Sequence, residues 1–406
     1  MTKKKMVEKT PSEVEVTRIS KKELEARNKI QHQLEDELRK KQEELKRQLE
    51  QIFTSNILKK TELELDKFKE FQVKVSRQEI INKINKAYRN EKLVFVMGAG
   101  ISMNYGLPSW DVLLQKIMVT TIEKEQSASN ALSKLFTELF SPSPLIAGRY
   151  LQKYYEKKNS SFEEAVRKVL YENLNISKTS SIMDEIVKFC VAAGKSPNID
   201  SIITYNFDDI VEQHLLKTNV EIPFRPIYGV GMNPEPGELP IYHVHGFLPE
   251  KSKLNDSNQI TFGENVYHKQ YTDIYSWNNI VQINKFRDFT CLFIGSSLTD
   301  PNIRRLLDIA RIQKGDKEEF HYIFKKKYKS TEIGNKLKII LEDNKILFDE
   351  KVKAQLNFDE TVNFLIKTIE TFEENDSSSF GVKTLWVEDY YEIPEILKQI
   401  RTLKQR

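Results

Sequence analysis

Apolar positions are spaced differently in the first part of this chain than in the rest. From Ser20 to Glu50 the sequence is dominated by Lys, Arg, Glu, Gln and Leu and has neither Gly nor Pro. Its apolar side chains fall at Ile30, Leu34, Leu38, Leu45, Leu49 and Ile52. This spacing is that of an amphipathic helix, partly in heptad register. Glu and Lys/Arg mix densely around the stripe, which favours i,i+4 pairing. Two readings stay open for residues 1–76: a charged helical arm packed on its own domain, or a coiled coil that self-associates. A further helix is predicted over Arg77–Arg89, with Ile80, Ile81, Ile84 and Tyr88 on one side.

Beyond it the pattern changes to short apolar runs. Lys92–Met97 is a β-rich run suited to a strand buried on both faces. From Trp110 to about Gly194 the spacing is mainly helical, broken at Ser141-Pro-Ser-Pro144. Further strands are predicted at Ser201–Tyr205, Ile241–His245, Thr290–Ile294 and His321–Phe324. Helices follow near Gly334–Glu342 and Thr361–Phe372, with a strand between them at Lys345–Phe348. Strands alternating with helices, with polar clusters at strand C-termini, describe a Rossmann-like α/β fold: an open parallel sheet with a helical insertion at about 110–195. The predicted domain spans 77–374. The composition of Asp376-Ser-Ser-Ser379 reads as a linker, making 375–406 a linker and C-terminal tail.

Composition narrows the class. With 406 residues, 39% of them hydrophobic, the chain can build a substantial core. The 63 Lys+Arg and 59 Asp+Glu leave a net charge of +4, which gives no ground for nucleic acid as the primary ligand. Two cysteines, Cys190 and Cys291, cannot supply a four-cysteine zinc site or a disulfide framework. The N-terminus lacks the apolar run of a secretory signal, and no segment has the length of a membrane span. The expectation is a cytoplasmic protein.

Four strand ends carry candidate chemistry. In Met97-Gly98-Ala99-Gly100-Ile101-Ser102, a strand ending in glycines brings backbone N–H groups near a pyrophosphate. Gly98 permits a tight turn, and Gly100 omits a Cβ that would block a ligand; Met103 stands where a third glycine would complete G-x-G-x-x-G. Thr204-Tyr-Asn206-Phe-Asp208-Asp209 offers an amide and carboxylates for ribose or water, or a helix cap. His245 ends the next strand before Gly246; spacing puts His243 on the same side, and the strand-terminal His245 is the better placed base. Gly295 allows close approach of a ligand, and Ser296 and Ser297 can hydrogen-bond phosphate or ribose. Asp300-Pro301 reads as an ordinary helix start.

Taken in order, Gly-Ala-Gly-Ile-Ser, Thr-Tyr-Asn-Phe-Asp, His-Gly and Gly-Ser-Ser resemble the NAD-binding domain of the sirtuin superfamily, over roughly Lys92 to Phe372. Phe293–Asn302 and the Gly106-Leu-Pro-Ser-Trp110 turn are most similar to the bacterial sirtuin-like NAD-consuming effectors of antiphage defence, among them the Thoeris effector's catalytic domain. The resemblance implies an NAD glycohydrolase with Asn206 and His245 catalytic. It implies that Gly98, Ala99, Gly100 and Ser102 cradle the phosphates, that Asp208 supports the Asn206 loop or the ribose, and that Gly295, Ser296 and Ser297 contact the nucleotide. NAD enters as substrate, and neither a further cofactor nor zinc is expected. Pro108-Ser-Trp-Asp111 replaces the Pro-Asp-Phe-Arg element of protein-deacylating sirtuins, which with the cysteine count argues against acyl-lysine peptides. An NAD-dependent deacylase and a non-catalytic nucleotide-sensing scaffold are the alternatives. Because unrestrained NAD loss would harm the host, the resemblance also implies control by homo-oligomerisation or by an activating partner, such as a HerA-type ATPase or a phage component.

Overall fold

The computed structural model describes residues 36–44, 47, 76–126, 135, 139, 144–190, 197–218, 221–315, 321–343 and 357–404. The chain divides into two compact units, Met1–Phe71 with Lys329–Thr368, and Gln72–Tyr328 with Ile369–Arg406. In the first unit residues 36–44 are helical, with Leu38 exposed. Most of the predicted apolar stripe, and the predicted strand at 345–348, lie outside the described residues.

The second unit is built on seven parallel strands: β1 (Leu93–Met97), β2 (Ser201–Thr204), β3 (Phe224–Ile227), β4 (Leu239–His243), β5 (Thr290–Ile294), β6 (His321–Lys326) and β7 (Val382–Val387). Their order across the sheet is β3-β4-β2-β1-β5-β6-β7. The helices in chain order are α1 (Arg77–Arg89), α2 (Trp110–Gln126), α3 (Pro144–Lys157), α4 (Phe162–Leu170), α5 (Ser181–Cys190), α6 (Ile210–Leu216), α7 (Glu264–Thr272), α8 (Trp277–Asp288), α9 (Pro301–Lys314), α10 (Ser330–Asp343), α11 (Phe358–Ser379) and α12 (Ile393–Thr402). β1 lies between β2 and β5, where the order of strands reverses direction, and open α/β sheets bind ligands at that point beyond the strand C-termini.

Alternation along the strands feeds two cores. Leu93, Phe95 and Met97 of β1 join Ile202, Ile241, Leu292 and Ile294 on one face, with α1, α2, α5 and α12 packed over them. Val94 and Val96 join Ile203, Cys291, Phe293 and Ile323 on the other, against Phe286 of α8 and Ile303, Leu306 and Leu307 of α9. Both faces are covered, which is why the central strands read as continuous apolar runs. Both cysteines are buried, Cys190 in α5 and Cys291 in β5. Among the described residues no helix is long and apolar enough to cross a membrane.

Two elements depart from the sequence reading. β3, whose Pro226 masks the strand signal, forms one edge of the sheet, a place where a proline is tolerated. At the other edge, residues 375–406 are not a linker and tail. Helix α11 continues through Ser379 because its polar side chains are satisfied locally: Ser377 Oγ donates to the Glu373 carbonyl and Ser379 Oγ to that of Asp376, while Asp376 pairs with Arg304. The chain then adds β7 along all six residues of β6 and closes with α12.

Candidate active site

Parallel pairing brings four strand ends level. Met97 pairs with Thr204 on one side and with Ile294 on the other, and Thr204 pairs with His243. Gly98 and Gly295 therefore each follow their ladder by one residue, and Asn206 and His245 each lie two residues past it on adjacent strands. All four clusters singled out in the sequence meet along this edge.

The two glycine turns interlock. Gly98 N–H donates to the Ile294 carbonyl (3.1 Å), and Gly100 N–H to that of Gly295 (3.0 Å). A Cβ on Gly98 would lie 2.5 Å from the Gly295 oxygen, and one on Gly100 would lie 2.9 Å from Gly295 Cα. The space that these glycines leave is thus filled by the backbone of the neighbouring turn, a closer constraint than the approach of a ligand. The Ala99 carbonyl accepts the amides of Ser102 and Met103, which closes the turn. On the opposite side Gly295 and Ser297 are exposed, and the Ser297 and Thr299 hydroxyls share a hydrogen bond of 2.7 Å. Between them the buried Leu298 takes φ +58°, a left-handed conformation that is costly for a leucine and holds the serine loop in shape.

Asn206 is half-buried, and its Nδ2 donates to the Gly98 carbonyl and to Ser102 Oγ, both at 3.1 Å. Ser102 Oγ in turn donates to Asp208 Oδ1 at 2.9 Å, and that oxygen also accepts the Ile210 amide. Asp208 thus does two jobs that the sequence had left as alternatives, since it supports the Asn206 loop through Ser102 and receives an amide at the start of α6. Burial pushes its carboxyl up to about 6. Phe207 anchors the same loop against Trp110 and Phe262, and the Tyr171 hydroxyl lies 2.8 Å from both Asp209 Oδ1 and the Leu248 carbonyl.

The two histidines do not share surroundings, contrary to the alternation argument, because β4 ends at His243 and the chain turns. His243 Nε2 contacts Glu212 Oε1 of α6 at 2.7 Å. His245 stands edge-on to Tyr205 (4.8 Å, 83°) and near Tyr267 of α7 (5.9 Å). Gly246 (φ +104°) makes the turn possible; a Cβ there would lie 2.2 Å from the Gln259 carbonyl oxygen. The Thr261 amide then holds the His245 carbonyl at 2.7 Å. Burial lowers the His245 pKa, and the nearby Asp300 carboxylate opposes that shift. The imidazole is consequently neutral near pH 7 and able to accept a proton. Sequence reasoning missed Tyr205, Tyr267 and the second contact of Asp300, which carry no local pattern.

The arrangement unites a glycine turn, an oriented amide and a buried neutral imidazole at the switch point of the sheet. A family model described as a SIR2-like domain matches residues 200–348. Its match takes in the Asn206, His245 and Gly295 clusters, whereas the Gly98 turn precedes it. Over 333 residues the chain is 24% identical to a protein named NAD(+) hydrolase ThsA from Enterococcus faecium, covering 80% of this chain and 59% of that protein. Over 340 residues it is 23% identical to another of that name from Cytobacillus dafuensis, covering 82% of this chain and 57% of the relative. The chain thus spans less than two thirds of the length of these relatives. Among the described residues no group of three or more His, Cys, Asp or Glu could hold a metal ion.

Proposed function

We propose that this protein is an NAD glycohydrolase that cleaves the nicotinamide–ribose bond of NAD and depletes the nucleotide in antiphage defence, a form of abortive infection. The observation that carries the reading is the level placement of Asn206 and His245 on adjacent strands, beside the interlocked Gly98 and Gly295 turns. The names of the relatives support the same chemistry.

Nicotinamide leaves a ribose anomeric carbon with the bonding electron pair, which neutralises its ring nitrogen. The ribose develops oxocarbenium character, as in glycoside hydrolysis. Such a reaction needs orientation and a proton acceptor more than a strong nucleophile. Asn206, held by Gly98 and Ser102, positions the ribose and the attacking water. His245 takes the proton from a ribose hydroxyl or from that water. Gly98, Ala99, Gly100 and Ser102 cradle the phosphates, Asp208 fixes the Asn206 loop, and Gly295, Ser296 and Ser297 contact the nucleotide. We place the protein in the cytoplasm as a homo-oligomer controlled by a partner such as a HerA-type ATPase or a phage component, with no direct role for nucleic acid.

Incubating the purified chain with NAD, alone and with such a partner, and quantifying free nicotinamide tests the reading. Asn206→Ala and His245→Ala are each expected to lower turnover by about 10²–10⁴-fold with NAD binding largely retained. Full nicotinamide release by both variants would overturn the assignment.

A further inference from the structure

Asp300 uses its two carboxylate oxygens on different neighbours. Oδ1 accepts the backbone amides of Asn302 (2.8 Å) and Ile303 (3.0 Å), capping α9 ahead of Pro301. Capping needs only that oxygen. Oδ2 accepts the Tyr267 hydroxyl at 2.6 Å and lies 3.9 Å from His245 Nε2. That nitrogen is buried and has no hydrogen-bond partner among the described residues.

The surroundings fix this geometry from three elements. Tyr205, following β2, and Tyr267, from α7, both stand edge-on to the imidazole, so its plane is set by packing. The Tyr205 hydroxyl donates to Gln282 of α8, which keeps that ring in place. Helices α7 and α9 are tied to each other beneath the pair. Asn302 Nδ2 donates to Gln270 Oε1, and Arg305 donates to the Gln270 carbonyl and to Asn302 Oδ1. Arg305 also covers the Tyr271 ring. The charged and titratable groups facing His245 are therefore Asp300 from α9 and the Tyr267 and Tyr205 hydroxyls, with Tyr271 and Arg305 one layer further out.

We infer that Tyr267 and Asp300 are positioning residues for His245, with Tyr267 holding Asp300 Oδ2 against Nε2 so that the imidazole carries its proton there and offers Nδ1 as the accepting nitrogen. The inference rests on His245 being the base in NAD cleavage. In that step an O–H bond of the ribose hydroxyl or the water breaks, an Nδ1–H bond forms, and the electron pair stays on oxygen. The resulting imidazolium is stabilised by the Asp300 carboxylate, which takes no proton. Burial and Asp300 push the Tyr267 hydroxyl far above its usual range, so it supplies a hydrogen bond and keeps its proton. Burial by itself disfavours a positive imidazole, and a carboxylate at 3.9 Å offsets that penalty where the charge appears.

Asp300→Asn separates the two roles of the residue, because asparagine caps helices as well as aspartate but brings no charge. Tyr267→Phe removes only the hydroxyl. In the full chain, Asp300→Asn is expected to melt near the wild-type temperature and to lose about 10²-fold in kcat with little change in KM. The acid limb of its pH–rate profile should move to lower pH, since loss of the carboxylate lowers the pKa of His245. Tyr267→Phe is expected to lower kcat by about tenfold, less than removal of the charge itself. Histidine-selective NMR provides a readout that needs no turnover, as there are only six histidines and His245→Gln identifies the resonance. The His245 titration should fall by about one pH unit in Asp300→Asn. An unmoved titration together with wild-type kcat in both variants overturns the inference. If the wild-type protein releases no nicotinamide, the functional reading fails; a shifted titration would still establish the electrostatic link, and an unshifted one would remove it as well.

Discussion

Burial accounts for the weak acidity of Asp208, which sits beneath the Asn206 loop with Ser102 and the Ile210 amide as its hydrogen-bond donors. With a folded pKa of about 6 against an ordinary 3.8, the folded protein binds this proton more tightly than the unfolded chain does. The folded state is therefore favoured below that window and loses stability as pH rises through it, by ~3 kcal/mol at most. Asp208→Asn keeps an acceptor oxygen and removes the titration. Urea unfolding between pH 4 and pH 7 should show the stability of the variant gaining on that of the wild type as pH rises; a difference that stays constant with pH would rule this out. The positions of Asn206 and His245 just past two strand ends were legible in the sequence because each follows a buried apolar run. Tyr267 and the second role of Asp300 were not. A helix cap satisfies every local reading of Asp-Pro, and only tertiary packing of α7 against α9 brings the other oxygen to a histidine.

Among the elements, the C-terminal segment shows where composition misleads. A run of serines after an acidic stretch looks like a linker, yet the Ser377 and Ser379 hydroxyls each find a carbonyl within their own helix, and the apolar alternation of Val382–Val387 supplies the last strand. The returning helix is then fastened from the other end of the chain. Asn85 of α1, fully buried, donates through Nδ2 to the carbonyls of Ile400 (2.6 Å) and Leu403 (3.1 Å), and Arg89 reaches the same Leu403 oxygen. These are carbonyls at the C-terminus of α12, which have no partner within the helix. Asn85→Ala should cost about 1–3 kcal/mol in urea unfolding, the penalty of a buried acceptor left bare. A loss within the scatter of ordinary surface substitutions would mean that other groups hold α12 in place. The strands of the central sheet were read correctly because burial on both faces makes them uniformly apolar. Strand β3, at the edge and containing Pro226, lacks that uniformity.

For the whole molecule, the sequence reading divides the chain between residues 76 and 77, at the end of the charged helical arm. The α/β fold was legible because a parallel sheet covered on both sides imposes a strong pattern. The role of the arm was not, since a charged heptad-like stripe fits either packing on its own domain or association with another copy. The exposed Leu38 on the helical stretch 36–44 is consistent with the second of these. If the stripe holds copies together, Leu38→Glu combined with Leu45→Glu should lower the assembly mass measured by light scattering while leaving the melting of the sheet unchanged. An identical mass would remove the stripe from the assembly. Such substitutions are preferable to a deletion through Ser76, because Ser76 Oγ caps α1 by accepting the Glu79 amide.

The seam between the Gly98 and Gly295 turns has one more consequence. Since main chain fills the room that these residues leave, selection for foldability alone is enough to preserve them. A relative with no catalytic activity would retain the same small-residue signature, so that signature reports the architecture rather than an activity. Under the proposed mechanism, inactive cousins are better recognised by what they carry at Asn206, His245 and Asp300.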